Sequence, residues 1–235
     1  MQVISVISTK GDVGKTTIAA NPRGFVADAG LRILLLDLDM QPTQPSYYEM
    51  ISHAPGGINE LLAFNRQDLG KTVSRITINR LDLVLSNDDY PHLYTPLLHD
   101  PDGRLRLYYL LLLLPVFQPH DDLVVIDAQR VRTVLLELEL LMWQQAISPV
   151  TPEIPTAIPA EQVGIHILDT GISAIEVFPR AATLCLPAHR VDAYQTRFTR
   201  EIMCRLATEL FPQWHEPFIQ VTGKTGGGPA YVKCQ

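Results

Sequence analysis

Short runs of apolar residues alternate along the chain with longer segments whose apolar positions recur at helical spacing, the pattern of repeated βα units around a parallel sheet. Residues 3–8 form the first predicted strand. Residues 32–38 (Arg-Ile-Leu-Leu-Leu-Asp-Leu) are apolar at nearly every position, as a strand covered on both faces requires, and 81–85, 123–126 and 146–150 add three more. Between the last two, Val134, Leu135, Leu138, Leu141 and Met142 repeat at helical spacing, with Glu137 and Glu139 off that stripe, which predicts a crossover helix. A last amphipathic helix is predicted over 193–210, with Tyr194, Phe198, Ile202, Leu206 and Leu210 as its apolar stripe. Pro152, Pro155 and Pro159 argue against a helix where the next crossover is due, and the glycine-rich end from Gly223 reads as a flexible tail. The expected organisation is one domain over 1–212 and a tail over 213–235.

With 46% hydrophobic and 19% charged residues the composition is that of a folding globular chain. Twenty-five acidic against nineteen basic residues give a net charge of -6, so any contact with nucleic acid must be a local patch. Cys185, Cys204 and Cys234 are too few and too scattered for a disulfide framework or a paired-cysteine metal site, and they read as reduced thiols. No basic n-region with a cleavage site precedes the first strand, and the apolar run over 107–119 is shorter than the roughly 18–20 residues of a membrane span. The expectation is a soluble, cytoplasmic protein without a membrane segment.

The chemistry is concentrated at the first strand's end, in Lys10-Gly11-Asp12-Val13-Gly14-Lys15-Thr16-Thr17. A phosphate-binding loop needs glycines so that backbone N–H groups can approach the phosphates, and a helix N-terminus whose partial positive charge faces them. Gly11 and Gly14 supply the first, and the segment from Thr17 the second. Lys15 would reach the β and γ phosphates, and the Thr16 hydroxyl would ligate Mg²⁺. The same tripeptide recurs at Gly223-Lys224-Thr225, but it runs into Gly226-Gly227-Gly228-Pro229, which cannot begin a helix. Carboxylates stand at two further strand ends, Asp37 with Asp39 and then Asp127. Open α/β sheets place ligands there, and Mg²⁺ is usually held by one or two carboxylates with hydroxyl, water and phosphate oxygens.

These residues resemble a known family, the deviant Walker A ATPases that include the ParA/Soj partition proteins and MinD. The loop is similar to its Lys-Gly-Gly-x-Gly-Lys-Thr-Thr signature, residues 35–42 to its Asp-x-Asp-Pro-Gln segment, and Val125-Ile126-Asp127 to its Walker B strand. Residues 148–153 and 175–182 are also ParA-like, and the resemblance covers about 1–153 and 170–212.

The resemblance implies a P-loop NTPase fold, ATP and Mg²⁺ as cofactors, and ATP hydrolysis. Lys10 would cross an ATP-bridged homodimer to the partner's nucleotide, Lys15 would bind phosphates and Thr16 magnesium. Asp37 and Asp39 would be switch carboxylates near the metal and the attacking water, and Asp127 the Walker B acid. It further implies that the dimer holds non-specific DNA in plasmid or chromosome partitioning, with nucleoid association, and that a ParB-type partner stimulates hydrolysis. Arg180, Arg190, Arg197 and Arg200 are candidates for the phosphate-contacting patch, with a solvated helix face as the alternative. A MinD-like regulator would need a C-terminal amphipathic membrane helix, which residues 211–235 do not suggest.

The sequence departs from the family at named positions. Asp12 stands where the family has glycine, inside the turn around the phosphates. A carboxylate about 4 Å from a phosphate charge is repelled by up to roughly 4 kcal/mol at an effective dielectric near 20. If about half survives, ATP binding weakens about thirtyfold, and a degenerate, non-hydrolysing protein becomes the alternative function. Pro22 falls inside the helix after the loop and is expected to kink or end it early. Met40 replaces a proline, and the family's crossover helix and the following strand, which ends in Asn-Arg near adenine, have no counterpart after Glu153.

Overall fold

In the computed structural model of the protein, the described residues are 1–6, 15–38, 48–62, 69–87, 99–110, 121–127, 145–147, 168–172, 176–191 and 196–223. Among them seven strands form one sheet: β1 (Gln2–Val6), β2 (Ile33–Asp37), β3 (Met50–Ser52), β4 (Val73–Ile76), β5 (Leu81–Val84), β6 (Leu123–Asp127) and β7 (Gln145–Ile147). Their order across the sheet is β3-β4-β5-β2-β6-β1-β7. The pairs β5-β2, β2-β6, β6-β1 and β1-β7 are parallel, whereas β3-β4 and β4-β5 are antiparallel. This is the predicted class, a mostly parallel sheet flanked by helices.

Strands β2 and β6 are buried at every residue, as the continuous apolar runs require for strands covered on both faces. One face carries Ile4, Val6, Ile33, Leu35, Leu123 and Val125 and packs against α1 (Lys15–Asp28) and the C-terminal helices α4 (Thr196–Leu210) and α5 (His215–Gly223). The other carries Val3, Leu34, Leu36, Val124 and Ile126 and packs against α2 (Ile58–Leu62) and Leu107. The remaining α3 (Val177–Thr183) sits on the α1 side, with Val177, Phe178 and Ala181 buried.

Helix α1 is the element that positions the site, and all residues from Ala20 to Ala27 are buried. It stops at Gly30, whose φ of 94° only glycine adopts without strain. There the Leu31 N–H donates to the Val26 carbonyl at 3.4 Å and the Gly30 N–H to the Ala27 carbonyl at 2.9 Å, the paired bonds of a Schellman end. A buried bond from the Ala188 N–H to Asn21 Oδ1, at 2.7 Å, ties the middle of the helix to the segment before α4.

Several expectations are corrected. Pro22 does not end α1, which runs on to Asp28. A proline removes one backbone donor, and burial of the turns on both sides outweighs that loss. Among the described residues the last long helix covers Thr196–Leu210, with 193–195 outside them, and Phe198 is 48% exposed rather than part of the buried stripe. Positions four apart advance 400°, so a stripe of strict fours drifts around the helix; the buried set is Thr199, Ile202, Met203, Leu206, Ala207 and Leu210. A flexible tail from 213 is also wrong as far as Gly223. Residues 212–214 form a 3₁₀ turn and 215–223 form α5, held by the buried Phe218 and Val221. The predicted crossover helix over 134–142, the gap after Glu153 and the end beyond Gly223 lie outside the described residues.

Candidate functional site at the strand ends

Strand β1 leads toward the loop, and Lys15, Thr16 and Thr17 form the first turn of α1. The backbone N–H groups of that turn have no partner within the helix, and the helix dipole adds partial positive charge there, so the turn favours an anion. Lys10, Gly11, Asp12, Val13, Gly14 and Asp39 lie outside the described residues.

Two carboxylates are brought together. Asp37 is the last residue of β2 and Asp127 the last of β6, and they are direct partners in the parallel register. Alternation along a strand fixes their direction: Asp37 follows Ile33 and Leu35, and Asp127 follows Leu123 and Val125, all on the α1 face. Neighbouring strands are about 4.8 Å apart, so the two acids stand side by side. Both are buried, at 0% and 1% exposure. The ladder continues beyond them, since the Leu38 N–H donates to the Asp127 carbonyl at 3.0 Å. Val6 pairs with Asp127 on the other side, so the described end of β1 adjoins that acid.

Two further buried polar groups lie at or against α1, neither of which the sequence reading singled out. The hydroxyl of the buried Tyr48 donates to the Ala20 carbonyl and fastens the start of the segment leading into β3 onto α1. Arg23, on α1, is 2% exposed, and among the described residues none of its three guanidinium nitrogens has a hydrogen-bond partner. Burial lowers its hold on its proton, and the charges of Asp127 and Asp37 oppose that shift. The signal available in sequence was a single arginine within a segment that is otherwise free of charge from Thr16 to Ala27.

The four arginines proposed for a phosphate patch are dispersed in their engagements. Arg190 donates through Nε to Asp28 Oδ2 at 2.8 Å, and Arg200 Nε donates to the His189 carbonyl at 3.2 Å. Arg197 pairs with Glu201 at 3.2 Å on the exposed side of α4, and Arg180 is exposed on α3. Among the described residues no cluster of histidine, cysteine or acidic side chains is arranged to hold a metal by itself. Cys185 and Cys204 are not joined in a disulfide, and no described helix is long and apolar enough to cross a membrane.

A family model described as an AAA domain matches residues 1–167. The chain belongs to this family, the ParA/MinD type of P-loop ATPase. The septum site-determining protein MinD of Pyrococcus horikoshii, solved with Mg-ADP, is 15% identical with a TM-score of 0.66 over 92% of this chain and 98% of that one. A Borrelia burgdorferi protein titled as a plasmid partition protein, bound to AMPPNP, is 21% identical with a TM-score of 0.54 over 94% and 97%. At those identities the ParA/MinD-type neighbours establish the shared fold. Among curated proteins, one named as a replication protein A in Rhizobium rhizogenes is 40% identical over 62 residues, or 26% of this chain. One named as the tyrosine-protein kinase EpsB of Ralstonia solanacearum is 31% identical over 122 residues, or 52% of this chain. The matched stretches amount to 15% of the length of each of these curated relatives.

Proposed function

We propose that the chain binds ATP with Mg²⁺ at the turn between β1 and α1 and acts as a ParA-type partition ATPase. The observation that carries this reading is the in-register pair Asp37 and Asp127, buried on the α1 face at the strand ends. Such a pair, with the Thr16 hydroxyl on the first turn of α1, is a hard oxygen donor set of the kind Mg²⁺ takes. When bound, Mg²⁺ would neutralise charge on the β and γ phosphates.

The chain's own residues take the remaining roles. Gly11, Val13 and Gly14 cradle the phosphates with backbone N–H groups, Lys15 holds the β and γ phosphates, and Thr17 continues the turn. Asp37 and Asp39 would orient the attacking water, Asp127 would help hold the metal with Thr16 and Asp37, and Lys10 would reach the partner's nucleotide in an ATP-bridged dimer. That dimer holds non-specific DNA, with Arg180 and Arg197 as its exposed cations, and a ParB-type partner accelerates turnover. The neighbours titled as a plasmid partition protein with AMPPNP and as MinD with Mg-ADP support the nucleotide and the metal.

A second reading is a degenerate nucleotide-binding protein with impaired turnover. The buried charge of Arg23 on α1 and the carboxylate of Asp12 in the loop sequence favour it. A MinD-like regulator is the third.

ATP turnover with and without duplex DNA, in wild type, Lys15→Ala and Asp12→Gly, separates these readings. DNA-stimulated turnover abolished by Lys15→Ala supports the partition ATPase. Turnover only in Asp12→Gly supports the degenerate protein, and stimulation by anionic vesicles instead of DNA supports the MinD-like one.

A further inference from the structure

The 3₁₀ turn Ala188–Arg190, with Pro187 and Val191 at its ends, grips α1 at three places. The Ala188 N–H donates to Asn21 Oδ1 at 2.7 Å, Pro187 occupies the space that a Cβ on Gly24 would need, and His189 Nε2 and Arg190 Nε donate to Asp28 Oδ2 at 2.7 and 2.8 Å. From the other side, Arg200 Nε on α4 donates to the His189 carbonyl at 3.2 Å. The chain bends from α3 into this grip at Cys185, whose φ of 53° lies in the left-handed region that a residue with a Cβ enters only at a cost.

A second proton on His189 does not fit the grip. The ring is buried, and among the described residues its Nδ1 has no hydrogen-bond partner. The charges that act on it are Asp28 from α1, Arg190 from its own turn and Arg200 from α4, and Asp28 is already engaged through both oxygens by Arg190. The ring's edge contact is aromatic: Phe25 lies 5.3 Å away between centroids, and Phe218 of α5 lies 6.0 Å beyond it. An imidazolium would therefore keep its bond to Asp28 but hold a charged Nδ1–H against an apolar wall beside two guanidinium groups. Water reaches that nitrogen when the turn lifts.

We propose that the turn over 187–191 is a proton-operated latch on α1: neutral His189 keeps it shut, and the imidazolium opens it about Cys185 while the sheet stays folded. The parallel ladders of β1, β2 and β6 use none of these residues, so opening is a local event that lies below global unfolding in free energy. Burial holds the folded His189 below its ordinary value, so the latch is fully shut above about pH 6.5 and loosens as pH falls below it. Against its own burial, Asp28 is held well below the carboxylate range by Arg190 and His189, so it stays charged across that window. Opening would uncover the Asn21, Gly24 and Asp28 side of α1 and release Arg200 Nε from the His189 carbonyl.

The test is native-state amide exchange on the full chain without nucleotide, read by NMR and corrected for the intrinsic effect of pH on exchange. The Ala188 N–H is compared with the amides of β6 at about pH 8 and about pH 5, either side of the ordinary histidine value. Protection of Ala188 is expected to fall about tenfold or more across that range. At both pH values, low guanidinium chloride should leave Ala188 exchange almost unchanged while accelerating that of β6, because a local opening exposes little surface. His189→Gln is expected to remove the pH dependence. Ala188 exchange as sensitive to denaturant as that of β6 overturns the latch, since the turn then opens only with the whole fold. Protection that does not change with pH, or a pH response that survives in His189→Gln, overturns the role of His189. Wild type alone decides between local opening and global unfolding if that variant does not fold.

Discussion

His189 Nε2 lies 2.7 Å from Asp28 Oδ2, joining the 3₁₀ turn before α4 to the last turn of α1. Arg190 donates to both oxygens of the same carboxylate, and the edge of the Phe25 ring packs near His189 at 5.3 Å between centroids. His189 is buried, and among the described residues its Nδ1 has no hydrogen-bond partner. The neutral ring with its proton on Nε2 therefore fits the site, and a second proton would place charge on Nδ1 in an apolar wall.

This arrangement makes the fold acid-sensitive in two steps. Burial pushes His189 below its ordinary value, against the pull of Asp28, so its contribution is full above the unfolded value of about 6.5 and is lost below it. Burial alone would raise Asp28, but the hydrogen bonds and charges of Arg190 and His189 outweigh it and hold the acid well below the carboxylate range. Its contribution is present above the unfolded value of about 3.9 and declines as pH falls from there. Unfolding midpoints measured from about pH 8 down to about pH 3 should fall in both windows, and His189→Gln should flatten only the upper one. A flat profile in wild type contradicts the neutral, buried His189.

Asp28→Asn keeps the shape and removes the charge. It should cost about 1–3 kcal/mol by leaving Arg190 without its carboxylate, measured as a shift in the denaturant midpoint at neutral pH. No shift would mean that the triad adds nothing to the docking of α1.

Gly24 meets Pro187 so closely that an added Cβ would lie 2.4 Å from Pro187 Cγ. Gly24→Ala should therefore destabilise by about 1–3 kcal/mol despite alanine's better helix propensity. A stabilised variant would place α1 and the Pro187 turn further apart than described.

In the loop, Asp12→Gly should raise ATP affinity about thirtyfold by removing a carboxylate beside the phosphates. Equal affinities in titration calorimetry would remove both the steric and the electrostatic case against this loop.

The central strands were legible because β2 and β6 are buried on both faces and their apolar runs are unbroken. The edge strands were not. β3 is largely exposed and β4 buries only alternate positions, so neither Met50–Ser52 nor Val73–Ile76 forms a run that stands out from loop. Helix α5 was hidden by Pro217 near its start and by the glycines after it, yet Phe218 reaches the core. The placement of Asp37 and Asp127 at strand ends could be read because each closes an apolar run. Arg23 could not, since an arginine on a helix is ordinarily a solvated residue, and only the tertiary packing around α1 reveals it as a buried charge.

The central claim is that the first turn of α1 and the acids at the strand ends hold a nucleoside triphosphate. Equilibrium binding of ATP with Mg²⁺ to wild type and Lys15→Ala tests it most directly. Saturable binding to wild type that Lys15→Ala weakens at least tenfold, about 1.4 kcal/mol, is the predicted result. Equal binding to both proteins, or none to either wild type or Asp12→Gly, would contradict it.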